Sequence, residues 1–402
     1  MRRMLLGIAA AAALATSAAL PARADGHRVI STQTTRIGRF VRTDWTVQAG
    51  ANPLNRFHVV RLTQGSPDAD PRATLVLLPP LGNGFSFFEV DENGDYARSF
   101  AAYFAERGIE VWGYSPRTTG LVAGVCESGA IDCSAMAGWG LQAVVEDAAF
   151  LRGWIGRRRE PVLVGGYSLG AFSTIATIDA HPHDWDGALI LEGSLYTADP
   201  AVVALNAPFC AALEAQLAAG QIFDDTTLPG IRGLVALAAN DPHGPTPLPG
   251  FPPGTTNHQV MVFFLSLPQP GPLWPTSTFI RCAGSVPEDR FFYATDARVI
   301  AHSSLFNDYY DNRSIRDLSC SLAGERTFTS HLAAFRQPVY FLGGGLGFLA
   351  LEDDLATLLG STDVTRNFNP LFGHADHWFS ADHRQILEGD ILRWLQRVER
   401  DR

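Results

Sequence analysis

Two apolar patterns alternate along the chain. Short runs rich in Val, Ile and Leu, at Ala73–Leu78, Ile109–Trp112, Val162–Val164, Asp186–Leu191 and Pro338–Leu342, have the composition of strands buried in a parallel sheet. Between them, apolar residues recur three and four positions apart, as on one face of a helix. Leu141, Val144, Val145, Ala148, Leu151 and Ile155 do so within residues 139–155, and Leu387, Ile391, Trp394, Leu395 and Val398 do so near the C-terminus. Residues 95–106 predict a further helix that presents Phe100, Tyr103 and Phe104 and stops at Gly108. A short helix is expected over Leu351–Leu359 and a last strand over Val364–Phe368. Ahead of all these, alternating stretches such as Trp45–Gln48 and Phe57–Leu62 predict antiparallel edge strands. Strand and helix alternating at this spacing imply right-handed crossovers, hence an α/β protein with a mostly parallel sheet and helices on both faces.

The rhythm stops after Glu192 and resumes at Pro338. The intervening residues 195–337 hold a proline-rich run from Pro245 to Pro253 and an aromatic-rich stretch from Phe263 to Phe279. Such a segment predicts a lid insertion whose rings line an apolar pocket. The expected organisation is therefore residues 25–194 and 338–402 as two parts of one core, interrupted by the insertion at 195–337.

The first 24 residues fall outside that core. Arg2 and Arg3 precede an apolar run from Leu5 to Leu20, and Pro21-Ala-Arg-Ala24 closes it, the pattern of a secretory signal peptide cut after Ala24. The run is short for a membrane span, so no integral membrane segment is expected after its removal. Removal takes three arginines and no acids, so the formal charge goes from −10 to −13. A surface that acidic argues against nucleic acid or anionic membrane as the principal partner. Secreted or periplasmic location also fits the five cysteines, of which Cys126 and Cys133 bracket a loop short enough to close as a disulfide.

Composition narrows the chemistry further. All 31 basic residues are arginine, so Schiff-base and lysine general-base mechanisms are excluded. No C-x-x-C or H-E-x-x-H pattern occurs, and neither a metal nor a cofactor is expected. What remains is Gly166-Tyr-Ser-Leu-Gly170, directly after the apolar run 162–164 and before Ala171–Ile178, which can continue as a core-facing helix. In a G-x-S-x-G turn the serine is held out of the sheet, and the two glycines are required where neighbouring backbones come close. Ser168 is the candidate nucleophile. A serine hydroxyl needs a base within hydrogen-bond reach and a carboxylate to orient that base. Phe372-Gly-His-Ala-Asp-His377, between the last strand and the last helix, offers His374 and His377.

With the serine on its elbow and a histidine on a loop near the C-terminus, the chain resembles the α/β-hydrolase superfamily over about residues 55–194 and 337–400. Gly373-His-Ala-Asp376 is similar to the motif that carries the catalytic histidine in acid-lipase-like members, which selects His374 over His377 and leaves His383 as a surface residue. The acid departs from the pattern. Members commonly place an aspartate in a stretch resembling G-G-x-D-x-L-A, and here Gly344-Gly-Leu-Gly-Phe-Leu-Ala350 has Gly347 at that position. Glu352, Asp353 and Asp354 follow on what should be the solvent face of the next helix. Other members supply the acid after the strand that follows the nucleophile helix, which here is Glu192. A carboxylate ending a buried apolar strand is costly unless paired, and an imidazole would pair it. Glu192 is therefore the expected acid, with Asp354 or Asp353 as alternatives. For the oxyanion, the resemblance implies the backbone N–H of Leu169 and one from the loop Pro79-Pro-Leu-Gly82. Pro80 has no N–H, so Leu81 is the expected second donor.

The resemblance thus implies an exported serine hydrolase that cleaves an ester of an apolar acyl or alcohol group, from a small molecule or a polymer. A carbon–carbon hydrolase acting on a diketone, and a binding relative without catalysis, are the alternative readings. Substrate identity and oligomeric state have no signal in the sequence.

Overall fold

The computed structural model describes residues 26–65, 70–266, 278–282 and 290–401. The expected signal peptide, residues 1–24, lies outside them, as do residues 267–277 of the aromatic-rich stretch.

A nine-stranded sheet organises the chain. Its strands are β1 (His27–Ile37), β2 (Phe40–Ala49), β3 (Arg56–Gln64), β4 (Ala73–Leu78), β5 (Ile109–Ser115), β6 (Val162–Tyr167), β7 (Ala188–Leu191), and, after a two-stranded ribbon of β8 (Phe223–Asp224) and β9 (Tyr310–Asp311), β10 (Val339–Leu346) and β11 (Val364–Gly373). The order is β1-β2-β3-β5-β4-β6-β7-β10-β11. Strands β1, β2, β3 and β5 pair antiparallel. Every later pairing, from β5 with β4 to β10 with β11, is parallel. The antiparallel edge and the mostly parallel sheet are as the patterning predicts.

Alternate residues of each inner strand face opposite sides. In β4, Leu75 and Leu77 enter one apolar cluster and Val76 and Leu78 the other. Tyr340 and Leu342 of β10 divide from Val339 and Phe341 in the same way. All these side chains are buried, each contributing about 1.5–3 kcal/mol for an aliphatic or Phe side chain removed from water.

The helices cover both faces. Before β5 come α1 (Ser86–Glu89) and α2 (Phe100–Ala105), and after it α3 (Leu141–Ile155) and α4 (Leu169–Ala180). Then follow α5 (Pro200–Ala218), α6 (Thr227–Asn240), α7 (Asn257–Ser266), α8 (Asp296–Ser303) and α9 (Asn312–Leu322). The chain ends with α10 (Leu349–Ala356), α11 (Asp376–Phe379) and α12 (Asp390–Arg400). Helices α3 and α4 pack on one face, α2 and α12 on the other. The single helix expected over 95–106 is instead two pieces: Ser99 is extended, and its side chain accepts the Ala102 N–H to start α2. Strand β11 runs past the expected Phe368 to Gly373, which carries it to the site.

Residues 195–337 fold as α5 to α9 with the β8–β9 ribbon, joined between β7 and β10. Two disulfides are present. Cys126–Cys133 is the expected one, and Cys210–Cys320 links α5 to α9 across a separation of 110 residues. Helix α5 was not foreseen. It is long and apolar enough to cross a membrane, and only 6% of its most apolar window is buried. It lies along α9, where Arg316 donates to Glu214 at 2.6 Å.

Candidate active site

Ser168 stands between the last residue of β6 and the first of α4, with φ 56° and ψ −119°. A non-glycine residue in that region costs about 1–3 kcal/mol and persists only where its surroundings hold it. They do so here through the Ser168 N–H, which donates to the Leu191 carbonyl at 3.0 Å. The flanking glycines are sterically required, as expected. A Cβ on Gly166 would stand 2.4 Å from the Gly170 carbonyl carbon, and one on Gly170 would stand 1.9 Å from the Leu78 carbonyl oxygen.

His374 follows β11 directly. Its N–H donates to the Thr278 carbonyl at 2.9 Å, and the Tyr167 hydroxyl donates to its carbonyl at 3.1 Å. The Tyr167 ring stacks on the imidazole at 5.2 Å between centroids. So held, Nε2 lies 2.9 Å from Ser168 Oγ and Nδ1 lies 3.5 Å from Glu192 Oε2. With the proton assigned to Nδ1, facing the carboxylate, Nε2 accepts from the serine hydroxyl. Burial first, and then the neighbouring His377, push the His374 imidazole down to about 3, which favours its neutral form.

Glu192 directly follows β7 with φ 60°, the other positive-φ residue besides Ser168 that is not glycine among those described. Its carboxylate is fully buried and meets no arginine in the described contacts. Oε1 accepts the Gly344 N–H, and Oε2 accepts the Phe348 N–H at 3.1 Å. Burial first, and then the neighbouring Glu352, push its carboxyl well above the usual range, while these two N–H groups act the other way.

The acids after Gly347 do not behave alike. Glu352, expected to face solvent, is buried: its Oε1 accepts the Gly193 N–H at 3.0 Å, and burial raises its carboxyl to about 8. The glycine at 343 leaves room for the Glu352 carboxyl, which lies where a side chain there would stand. Asp354 accepts from Thr197 Oγ1 at 3.0 Å and from the Ala198 N–H at 2.7 Å, and Asp353 lies 3.4 Å from Arg366. Both are thus engaged away from His374. His383, expected at the surface, is also buried, with Nε2 2.9 Å from an Arg298 nitrogen. Its string of polar neighbours masks the buried turn of helix that follows.

Leu81 and Leu169 line the same cavity as Ser168 and His374. Leu169 is the first residue of α4, where no intrahelical carbonyl reaches its N–H. The cavity measures about 730 Å³, and its wall is mainly apolar, with Phe172 and Phe87 from the core and Leu234, Phe264 and Ile315 from the 195–337 segment. Its size suits an organic ligand. Sequence reasoning missed two participants, Tyr167 on the imidazole and His302 in the cavity wall, tilted against Phe87 at 4.7 Å between ring centroids; His377, weighed only as the alternative base, has its Nε2 3.4 Å from Glu192 Oε1. For His377 a signal existed, its place three residues after His374 at the start of a helix. Among the described residues, Cys210, Glu214 and Cys320 are grouped like metal ligands, and the two sulfurs are joined as a disulfide.

No family profile matches the chain, and no curated protein matches it by sequence. Solved structures do. A candidate lipase from Sulfolobus solfataricus is 16% identical, with a TM-score of 0.64 over 92% of this chain and 99% of its own. A thermostable carboxyl esterase from Bacillus coagulans is 14% identical, with a TM-score of 0.52 over 89% and 99%. A soluble variant of monoglyceride lipase from Saccharomyces cerevisiae is 12% identical, with a TM-score of 0.50 over 85% and 92%. At these identities the likeness concerns the fold. By its parallel sheet, its strand–serine–helix turn and this likeness, the chain has the α/β-hydrolase fold.

Proposed function

We propose that the protein is an exported serine hydrolase that cleaves carboxylic esters carrying an apolar acyl or alcohol group. The observation that carries this reading is the 2.9 Å approach of Ser168 Oγ to the buried His374 Nε2 at the wall of an apolar cavity. In the proposed reaction, Ser168 Oγ attacks the ester carbonyl while His374 Nε2 takes its proton, and Glu192 holds the imidazole with Nδ1–H toward the carboxylate. The Leu81 and Leu169 N–H groups receive the developing oxyanion. Collapse breaks the bond to the alcohol oxygen, which leaves with the proton from His374. Water, deprotonated by the same nitrogen, then releases the acid from the acyl-enzyme. The 195–337 segment acts as the lid that sets which group enters.

Export is supported by the N-terminal pattern and by two disulfides, which persist in oxidising compartments. The similarity of fold to lipases and esterases supports the reaction class. Hydrolysis of p-nitrophenyl esters of increasing chain length, by wild type and Ser168→Ala, tests the reading. Turnover with medium or long acyl chains that Ser168→Ala loses is expected. Absence of both turnover and fluorophosphonate labelling at Ser168 in the wild type overturns it.

A further inference from the structure

Glu192 lies between two imidazoles. His374 Nδ1 faces Oε2 at 3.5 Å, and His377 Nε2 faces Oε1 at 3.4 Å. His377 is buried at the start of α11, with Phe372 set edge-on to its ring at 4.8 Å. Each carboxylate oxygen therefore has one imidazole nitrogen near it and one backbone N–H donated to it, from Gly344 to Oε1 and from Phe348 to Oε2.

We propose that His377 is a positioning residue for the catalytic acid, holding the Glu192 carboxylate ionised and turned toward His374. This rests on the serine hydrolase reading above. The need for such a residue follows from where the acid comes from. A glutamate reaching across from the end of β7 has more rotatable bonds to fix than an aspartate rooted at position 347. It is also buried beside a second acid. Glu352 lies against it from α10, with Asp353 beyond, and Asp376 approaches from α11, its Oδ2 accepting the Gly373 N–H at 2.7 Å and the Arg281 N–H at 3.0 Å. The Tyr167 hydroxyl of β6 and His374 complete the titratable surroundings. Burial and the neighbouring acids favour a protonated Glu192. A protonated Glu192 would offer O–H to Nδ1 and so reverse the imidazole tautomer, leaving Nε2 unable to accept from Ser168. His377 Nε2, 3.4 Å from Oε1, favours the ionised form instead when it carries the ring proton.

The test compares His377→Phe and His377→Gln with wild type, reading kcat and KM for an ester substrate against pH. His377→Phe keeps the ring's bulk and removes the donor; His377→Gln keeps an N–H donor. The expected result is a fall in kcat of about tenfold or more for His377→Phe at neutral pH, with KM unchanged within about twofold. Its acid limb should move up by about one pH unit, and His377→Gln should recover most of both. A His377→Phe profile that overlays wild type, or an equal loss at every pH that His377→Gln shares, overturns the proposal. Histidine NMR of the same variants gives a readout independent of turnover: the low-field His374 Nδ1–H resonance should shift in His377→Phe and return in His377→Gln. Should fluorophosphonate fail to label wild-type Ser168, the hydrolase reading falls on that result, and an unshifted resonance separately rejects the pairing of His377 with Glu192.

Discussion

The Glu192 carboxylate occupies the space that a side chain on Gly347 would need. A Cβ added to Gly347 would stand 2.5 Å from Glu192 Oε2 and 3.2 Å from the His374 Cα. Strands β7 and β10 are neighbours, with Leu191 paired to Leu342, so the end of one and the turn after the other open onto one point beside the imidazole. A single carboxylate fits there. The glycine and the strand-end glutamate are two halves of one arrangement, each requiring the other.

Gly347→Ala should therefore damage the site despite adding one methyl group. Overpacking a filled interior costs about 1–3 kcal/mol, and the atom displaced here is a carboxylate oxygen held by the Phe348 N–H. Chemical denaturation should show a loss in that range, together with a fall in kcat. Unchanged kcat would mean that Glu192 has room to move.

Replacing the acid separates the candidates. Glu192→Gln keeps the shape but presents an amide to Nδ1, and a loss in kcat of about 10²–10⁴ is expected. Asp354→Asn, engaged with Thr197 and Ala198, should keep kcat within a few-fold and show its effect in stability. The reverse pattern in steady-state kinetics would move the acid to α10.

Stability should pass through a plateau and fall on both sides of it. His374, His377 and His383 are pushed down to about 3, 4 and 4 from 6.5, in each case chiefly by burial. Below 6.5 the unfolded chain takes up protons that the folded chain refuses, so these groups withdraw stability as pH falls. Glu352 and Glu388 are raised to about 8 and 7 from 4.5, and Asp376 to about 6 from 3.8, again by burial first. Their contribution is present below the unfolded values and is lost as pH rises through the folded ones. The two sets oppose each other between about pH 4.5 and 6.5. Thermal melts should give a lower midpoint at pH 3.5 and at pH 8.5 than at pH 5.5. A midpoint that does not fall toward pH 8.5 would show that Glu352 and Glu388 are already ionised in the fold.

The two disulfides should differ in weight. In the chain-entropy view, closing a loop of about 100 residues restricts the unfolded chain by roughly 4–5 kcal/mol, and closing a loop of seven by about half that. Cys210→Ser with Cys320→Ser should lower the urea midpoint more than Cys126→Ser with Cys133→Ser. Equal midpoints in the two pairs would place the α5–α9 attachment in packing rather than in the crosslink.

Much of this arrangement can be read from residue order. The parallel strands were legible because burial on both faces leaves little but Val, Ile and Leu, and Ser168 because a tight turn admits only glycine at 166 and 170. Glu192 stood out as a charge at the end of an apolar strand. Glu352 and His383 misled for one reason: each sits in a polar string whose burial is decided by what packs against it, a neighbouring glycine or a distant arginine. The lining of the cavity was readable only as composition, since α6 to α9 meet the core through contacts that no local periodicity encodes. Helix α5 has almost no alternation of polar and apolar positions, and its exposure had no signature.

Ser168 and Glu192 come from consecutive strands of one β6–α4–β7 crossover, while His374 lies 206 residues beyond the serine. A chain made and folded from its N-terminus can therefore bring the proposed nucleophile and acid to neighbouring strand ends long before the proposed base exists to join them. Reactivity is the last property such a chain acquires. Under the proposed mechanism, any truncated product that ends before β11 carries the elbow serine without His374, the base it needs.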